Sequence, residues 1–164
     1  MHLSLIHISV VFVEHKALYK VKCEVPEEPY ECDYTCDIKR SGDDITIVSY
    51  SAMVDQSIKA AEELEKEGVK AEVIDIRTTE PFDSKTIIDS VKKTNKLVIV
   101  HEAVKKCGFG AEIAATVQEE AFDALKKPIM RVGAPFVPVP FGPNLEKCFV
   151  PNQNDILEAA HKIL

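Results

Sequence analysis

The amino-acid sequence predicts a three-layer α/β/α domain built on a mostly parallel sheet. Three observations carry that prediction. Short apolar runs, rich in β-branched residues and bounded by turn signals, recur along the chain, as in strands covered on both faces. Between them the apolar residues switch to helical spacing. From Asp44 onward strand and helix alternate regularly, the pattern of right-handed βαβ units.

The elements follow in chain order. The first nine residues, MHLSLIHIS, lack the basic start and small-residue cleavage site of a signal peptide, and read as a non-native leader, an edge strand being the alternative. Val10 to Val13 has a buried-strand pattern that stops at Glu14-His15-Lys16. From Ala17 to Asp44 there is no sustained periodicity, and the glutamates, Pro26 and Pro29 suggest an extended linker; a run that long usually joins domains. Residues 10–43 are therefore expected to be the remnant of a preceding domain with its linker, and residues 44–164 the domain proper.

Ile45 to Tyr50 reads as a strand. Ser51 is an expected N-cap for a helix over Met53 to Lys66, with Val54, Ile58, Ala61 and Leu64 on one face, a Glu62–Lys66 pair and Gly68 as its stop. Ala71 to Ile76 is the next strand, and a helix carrying Ile87, Ile88 and Val91 begins near Asp83. Lys96 to Gln118 then organises the chain: a buried strand to Val100, a polar turn at His101-Glu102, glycines at 108 and 110, and a helix with Ile113 and Val117 inward. Ile129 to Val132 is a fourth strand of this series. The proline-rich stretch from Gly133 to Pro151 is expected to be a fixed loop. Asn154 is the expected cap of a last helix to Leu164, with Ile156, Leu157, Ala160 and Leu164 inward.

Composition narrows the function classes. The 164 residues allow one domain with a real core, and a net charge of −7 argues against nucleic-acid binding. No apolar run approaches the ~20 residues of a membrane helix. Five cysteines (Cys23, Cys32, Cys36, Cys107, Cys148) form no CxxC pair and read as free thiols of a cytoplasmic protein. His101 and Glu102, at a strand's carboxyl end, are candidates for acid–base or substrate contact; a capped strand end with a solvated glutamate is the plainer reading. Gly108-Phe109-Gly110 could bring amides to an anion at a helix start, but it is not GxGxxG, and a tight turn accounts for it better. Cys107 lies beside Lys105 and Lys106 without a nearby base or second cysteine. Residue chemistry stops at an α/β domain with a candidate loop over residues 101–110.

Five ordered blocks add a resemblance: VVFVEHKALYKVKCEVPEEPY (10–30), DIKRSGDDITIVSYSAMV (37–54), VIDIRTTEPFD (73–83), VKKTNKLVIVHEAVKKCGFGAEIAA (91–115) and VPVPFGPNLEKCFVP (137–151). Together they resemble the β subunit of thiamine-diphosphate-dependent 2-oxoacid dehydrogenases (E1) of the pyruvate, branched-chain and acetoin dehydrogenase type. The resemblance implies a transketolase-type C-terminal domain, preceded by the tail of a pyrimidine-binding domain. It implies oxidative decarboxylation of a 2-oxo acid, with pyruvate as the default, and acyl transfer to a lipoyl arm. Thiamine diphosphate and Mg would serve the assembled parent enzyme. In the family the cofactor-activating glutamate lies in the N-terminal half, and the α subunit brings a GDG motif with a downstream asparagine. Gly42-Asp43-Asp44 lacks that motif's second glycine.

On this reading the chain carries no catalytic, cofactor-binding or metal-binding residue of its own and is inactive alone. His101, Glu102, Gly108 and Gly110 would lie toward a subunit interface near the active-site entrance. The implied partners are an E1 α subunit, a second E1 β subunit and the E2 lipoyl acyltransferase. Residues 31–36, ECDYTC, and the leader depart from the family pattern. Two other readings stand beside it: a stand-alone interaction domain, and a binder of small anions at the 101–110 loop.

Overall fold

Apolar runs and turn chemistry produce five strands and five helices among the residues that the computed structural model describes, which are 11, 13–22, 24–28 and 33–164. In chain order these are β1 (Asp37–Arg40), β2 (Ile45–Ser49), α1 (Met53–Lys66), β3 (Ala71–Asp75), α2 (Ser84–Thr94), β4 (Leu97–Val104), α3 (Gly110–Ala121), β5 (Met130–Ala134), α4 (Pro143–Phe149) and α5 (Gln153–His161). The strands form one sheet in the order β1-β3-β2-β4-β5. β3, β2, β4 and β5 are mutually parallel, and β1 closes one edge antiparallel to β3.

The apolar runs are explained by burial on both faces. Every residue of β2 is buried, as is β4 from Leu97 to His101. On one face Ile45, Ile47, Val98 and Val100 pack under Ala60, Ala61 and Leu64 of α1 and Ile156, Ala159 and Ala160 of α5. On the other, Val48, Ile74 and Ile99 pack under Ile87 and Val91 of α2 and Ile113 and Val117 of α3. Thr46, buried in β2, is satisfied by the hydroxyls of Ser90 and Thr94 on α2, each at 2.6 Å. A buried hydroxyl without such partners would be costly.

Helix ends follow local chemistry. α1 stops where Gly68 takes φ +83; its N–H reaches the Glu65 carbonyl at 2.9 Å and the Val69 N–H reaches Leu64 at 2.9 Å, a Schellman motif. α2 starts at Asp83, whose carboxylate accepts from the Thr86 amide. That carboxylate also accepts from the Cys36 amide at 2.9 Å, tying the segment before β1 to the helix start.

The structure departs from the sequence expectations at definite places. Residues 1–10, Phe12, Cys23 and 29–32, and with them the stretch read as a leader, lie outside the described residues; Val11 and Val13 are exposed and in no strand. The stretch read as linker supplies β1, four residues whose burial shows little alternation and which pair through a bulge. Ser51 does not cap α1 with its side chain: it turns the chain at φ 55, and its carbonyl accepts from Val54. Lys66 pairs with Glu63 rather than Glu62. The loop from Gly133 contains α4, because Pro143 stands at its first turn, where a missing N–H costs nothing. α5 is capped by Asn152 with Asp155 in a capping box, not by Asn154. Ile163 is buried where Leu164, 38% exposed, was expected.

Candidate functional site

β2 and β4 are neighbours, with Ser49 opposite Val100, yet the helices that follow them lie on opposite faces of the sheet. The chain therefore diverges at their carboxyl ends, and a crevice opens at this switch point, where ligands of open α/β sheets bind. A cavity of about 550 Å³ occupies it, walled by Tyr50, Ala103, Val104, Val139, Phe149 and Val150, with Ser51, Glu102, Glu146 and His15 as its polar lining. A second opening of about 550 Å³ shares Tyr50 and Ser51 and runs along the end of β3 past Asp75, Arg77, Thr78 and Glu80. Burial raises the Asp75 carboxyl above its ordinary range, although Lys39 and Arg77 act against that.

β4 continues through His101 and Glu102 to Val104, so the expected polar turn there does not form. Pleating sends the two side chains to opposite faces. His101 turns toward α3 and is fully buried. Its ring stacks with Tyr50 at 6.2 Å and 23°. Nδ1 lies 2.9 Å from the Ala103 carbonyl, which can only accept, so Nδ1 carries the proton. Nε2 is buried without a partner. Burial lowers the His101 pKa, with the Arg131 charge adding to it and the Ala103 bond opposing. The ring is a neutral packing element.

The glycines explain how the ring fits. A Cβ on Gly108 would come within 2.8 Å of the ring, on Gly110 within 2.6 Å and on Gly133 within 2.9 Å. Gly110 thus clears room for an imidazole, and α3 begins directly against it. The amides of Ala111 and Glu112 already donate to the carbonyls of Gly108 and Phe109, at 2.9 and 3.0 Å. The helix start is consequently filled by protein, which disfavours the anion reading and favours the tight turn. Phe109 closes the turn edge-on to Phe82 at 5.4 Å and to Tyr50 at 6.4 Å.

Glu102 faces the crevice and its Oε2 lies 2.7 Å from His15 Nε2. Sequence adjacency of His101 and Glu102 is therefore not spatial partnership, and an acid–base pair between them is not formed. Cys107 sits exposed at φ 58 in the turn. Tyr50, Ser51, Phe82 and His15 were missed as site residues by sequence reasoning, whereas Phe109 lay inside the candidate loop. The signal for Tyr50 and Ser51 was their place at a strand's carboxyl end; His15, 87 residues from Glu102, offered none. Among the described residues no three His, Cys, Asp or Glu side chains gather as a metal site, and no helix is long and apolar enough to cross a membrane.

An antiparallel-edged, otherwise parallel α/β/α sheet with its crevice at the β2/β4 switch point defines the class: a doubly covered open-sheet domain. Residues 35–156 match the family described as transketolase, C-terminal domain, and the chain belongs to that family. It is 46% identical over 157 residues to the pyruvate dehydrogenase E1 component subunit beta of Bacillus subtilis (strain 168), covering 94% of this chain and 48% of the relative. It is 43% identical over 156 residues to the acetoin:2,6-dichlorophenolindophenol oxidoreductase subunit beta of Cupriavidus necator, covering 94% of this chain and 46% of that one. Among solved structures it resembles a split-gene transketolase described as an inactive beta4 tetramer, with a TM-score of 0.73 and 27% identity over 88% of this chain and 45% of the other. The chain spans about half the length of the curated relatives it matches.

Proposed function

We propose that this chain is the C-terminal part of the E1 β subunit of a 2-oxoacid dehydrogenase, of the pyruvate dehydrogenase type. The observation that carries the reading is 46% identity to an E1 β subunit across 94% of the chain. In the assembled enzyme the role is oxidative decarboxylation of a 2-oxo acid, with the acyl group passed to a lipoyl E2. The chain's own part is assembly with an E1 α subunit and a second E1 β subunit, and docking of E2, in the cytoplasm. Relatives named as E1 β subunits and a neighbour described as a tetramer support the assembly role.

Thiamine diphosphate would supply an electron sink for decarboxylation, with Mg on its diphosphate. The switch-point crevice and the start of α3 do not fit that group. The crevice lining presents Glu102 and Glu146 and no lysine or arginine, so it repels a diphosphate. The start of α3 is filled by His101. We therefore place cofactor binding in other parts of the assembled enzyme and derive no step through it here.

The test is calorimetric titration of the chain with thiamine diphosphate and Mg, paired with retention of the chain on an immobilised E1 α subunit. No binding heat together with retention is expected. Micromolar cofactor binding would overturn the assignment of the cofactor to other segments. Failure to bind the α subunit would favour the stand-alone interaction domain.

A further inference from the structure

The two edges of the sheet differ. β1 closes one with four residues, a bulge and the charges of Asp37, Lys39 and Arg40, features that deter further pairing. β5 closes the other, and the irregularity beside it lies in β4, where Val100 and Val104 stand opposite Val132 and Ala134. The Ala134 carbonyl accepts from the Lys105 amide at 2.9 Å, so Ala134 turns its backbone toward β4. Pleating turns Val132 and Met130 the same way, and turns the N–H and C=O of Arg131 and Gly133 outward. Among the described residues no backbone hydrogen bond reaches those four groups. The Arg131 side chain does not serve them either: its Nη1 donates to the Lys105 carbonyl at 3.2 Å. A cavity of about 240 Å³ lies beside this edge, lined by Arg131 and Gly133 and by Val150, Pro151 and Glu158, so α5 does not seal it. Outward backbone groups of this kind are a template for another strand.

We propose that β5 pairs antiparallel with β5 of a second copy of this chain, about a twofold axis at Val132, joining the two sheets into one. The inference rests on the proposed function only in taking a second β chain as the partner. The edge itself is self-complementary. With Val132 opposite its own copy, Arg131 stands opposite the copy's Gly133, and each such pair exchanges two hydrogen bonds. All the outward groups of both strands are then satisfied. Arg131 also faces a residue without a side chain, so no like charges are opposed. A slip of two residues would set Arg131 against its own copy or against Pro135, which has no N–H, so the register is defined. Five residues a side bury less than the ~800 Å² per partner of a stable interface. The chain leaving β5 at Ala134 exposes Phe136 and Val137, and this apolar stretch supplies the remaining area.

Sedimentation equilibrium of the chain and two variants at Arg131 tests the pairing. Arg131→Pro removes an outward N–H and leaves the β4 ladder intact, a place where an edge strand tolerates proline. It deletes two hydrogen bonds per dimer, each worth about tenfold, so the dimer Kd should rise about 100-fold. Arg131→Ala keeps the N–H and should dimerise like the wild type. Val132→Cys adds a test that does not depend on Arg131→Pro folding. The two Val132 positions would form a non-hydrogen-bonded pair with Cα atoms about 4.5 Å apart, within disulfide reach. Mild oxidation should therefore link the two new thiols, as peptide mapping would show. A monomeric wild type, an undiminished Arg131→Pro dimer, or no link between the new thiols would each overturn the pairing. A wild-type dimer with these properties that is not retained on the immobilised E1 α subunit would overturn the E1 reading and leave the pairing standing.

Discussion

Gly110→Ala gives a sharp test of the imidazole cage. An alanine Cβ there would stand 2.6 Å from His101 Cδ2 and Nε2 and 3.1 Å from Ile99 Cγ2, against ordinary contacts of 3.4–4 Å. The ring must therefore yield by about 0.8 Å, from 3.4 less 2.6. Gly108, Gly133 and Tyr50 hem it in, so it has nowhere to go. Overpacking of this kind costs about 1–3 kcal/mol. Alanine in place of glycine in a helix returns roughly 0.5–1 kcal/mol, less at a first-turn position. The net expectation is a loss of about 1–2 kcal/mol in urea unfolding followed by circular dichroism. His101→Ala will cost stability of its own, but in that background the added methyl occupies vacated space. Gly110→Ala should then be neutral or stabilising by up to about 1 kcal/mol, a coupling of about 2 kcal/mol between the sites. An equal penalty in both backgrounds would show that Gly110 serves its backbone and not the ring, and would refute the cage.

The same ring predicts a pH dependence. Because His101 has a lowered pKa in the fold, the unfolded chain binds a proton first as pH falls, so stability should drop from about the unfolded value of 6.5 downward and level off below the folded value. His101→Gln should flatten that slope in melts across pH, and an unchanged slope would count against a buried neutral ring. A second expectation concerns thiols. Burial, and then the Asp83 charge, push the Cys36 thiol up to about 12, whereas Cys107 and Cys148 are exposed. Iodoacetamide at about pH 8 followed by peptide mapping should label Cys107 and Cys148 well before Cys36, since the thiolate is the reactive form; equal rates would show Cys36 to be accessible.

The fold was readable because both faces of the sheet are covered. Ile45, Ile47 and Val48, like Leu97 to Val100, are apolar without alternation for that reason, and the 3.6 spacing in α1 and α2 marks helices with one buried face. β1 was unreadable for the opposite reason. Asp37, Ile38, Lys39 and Arg40 lie on an edge where burial is slight and pairing is carried by backbone groups, which leave no trace in side-chain pattern. α4 was hidden by prolines counted against a helix, although one of them starts it. The candidate loop was legible from its place at a strand's carboxyl end, yet the strand order that opens the crevice and the roles inside it were not. A pleat separates His101 from Glu102, and the partner of Glu102 comes from the far end of the chain.

The ribbon after β5 bears on assembly. Phe136, Val137, Val139, Phe141 and Leu145 are 68, 54, 73, 100 and 60% exposed. Lys106 lies over the Phe136 ring, its Nζ 4.9 Å from the centroid. Pro135, Pro138, Pro140 and Pro143 restrict the backbone of this ribbon. Side chains held outward in this way lose little conformational freedom on being covered, so their burial is spent on association rather than on ordering the ribbon. Apolar exposure on this scale is what the proposed assembly role calls for. Light scattering should therefore report concentration-dependent association of the chain, and Phe141→Ser with Leu145→Ser should abolish it while leaving the melting temperature unchanged, since neither side chain packs into the core. A clean monomer at high concentration would mean that these side chains tolerate water on their own, and would remove the physical ground for a partner on this face.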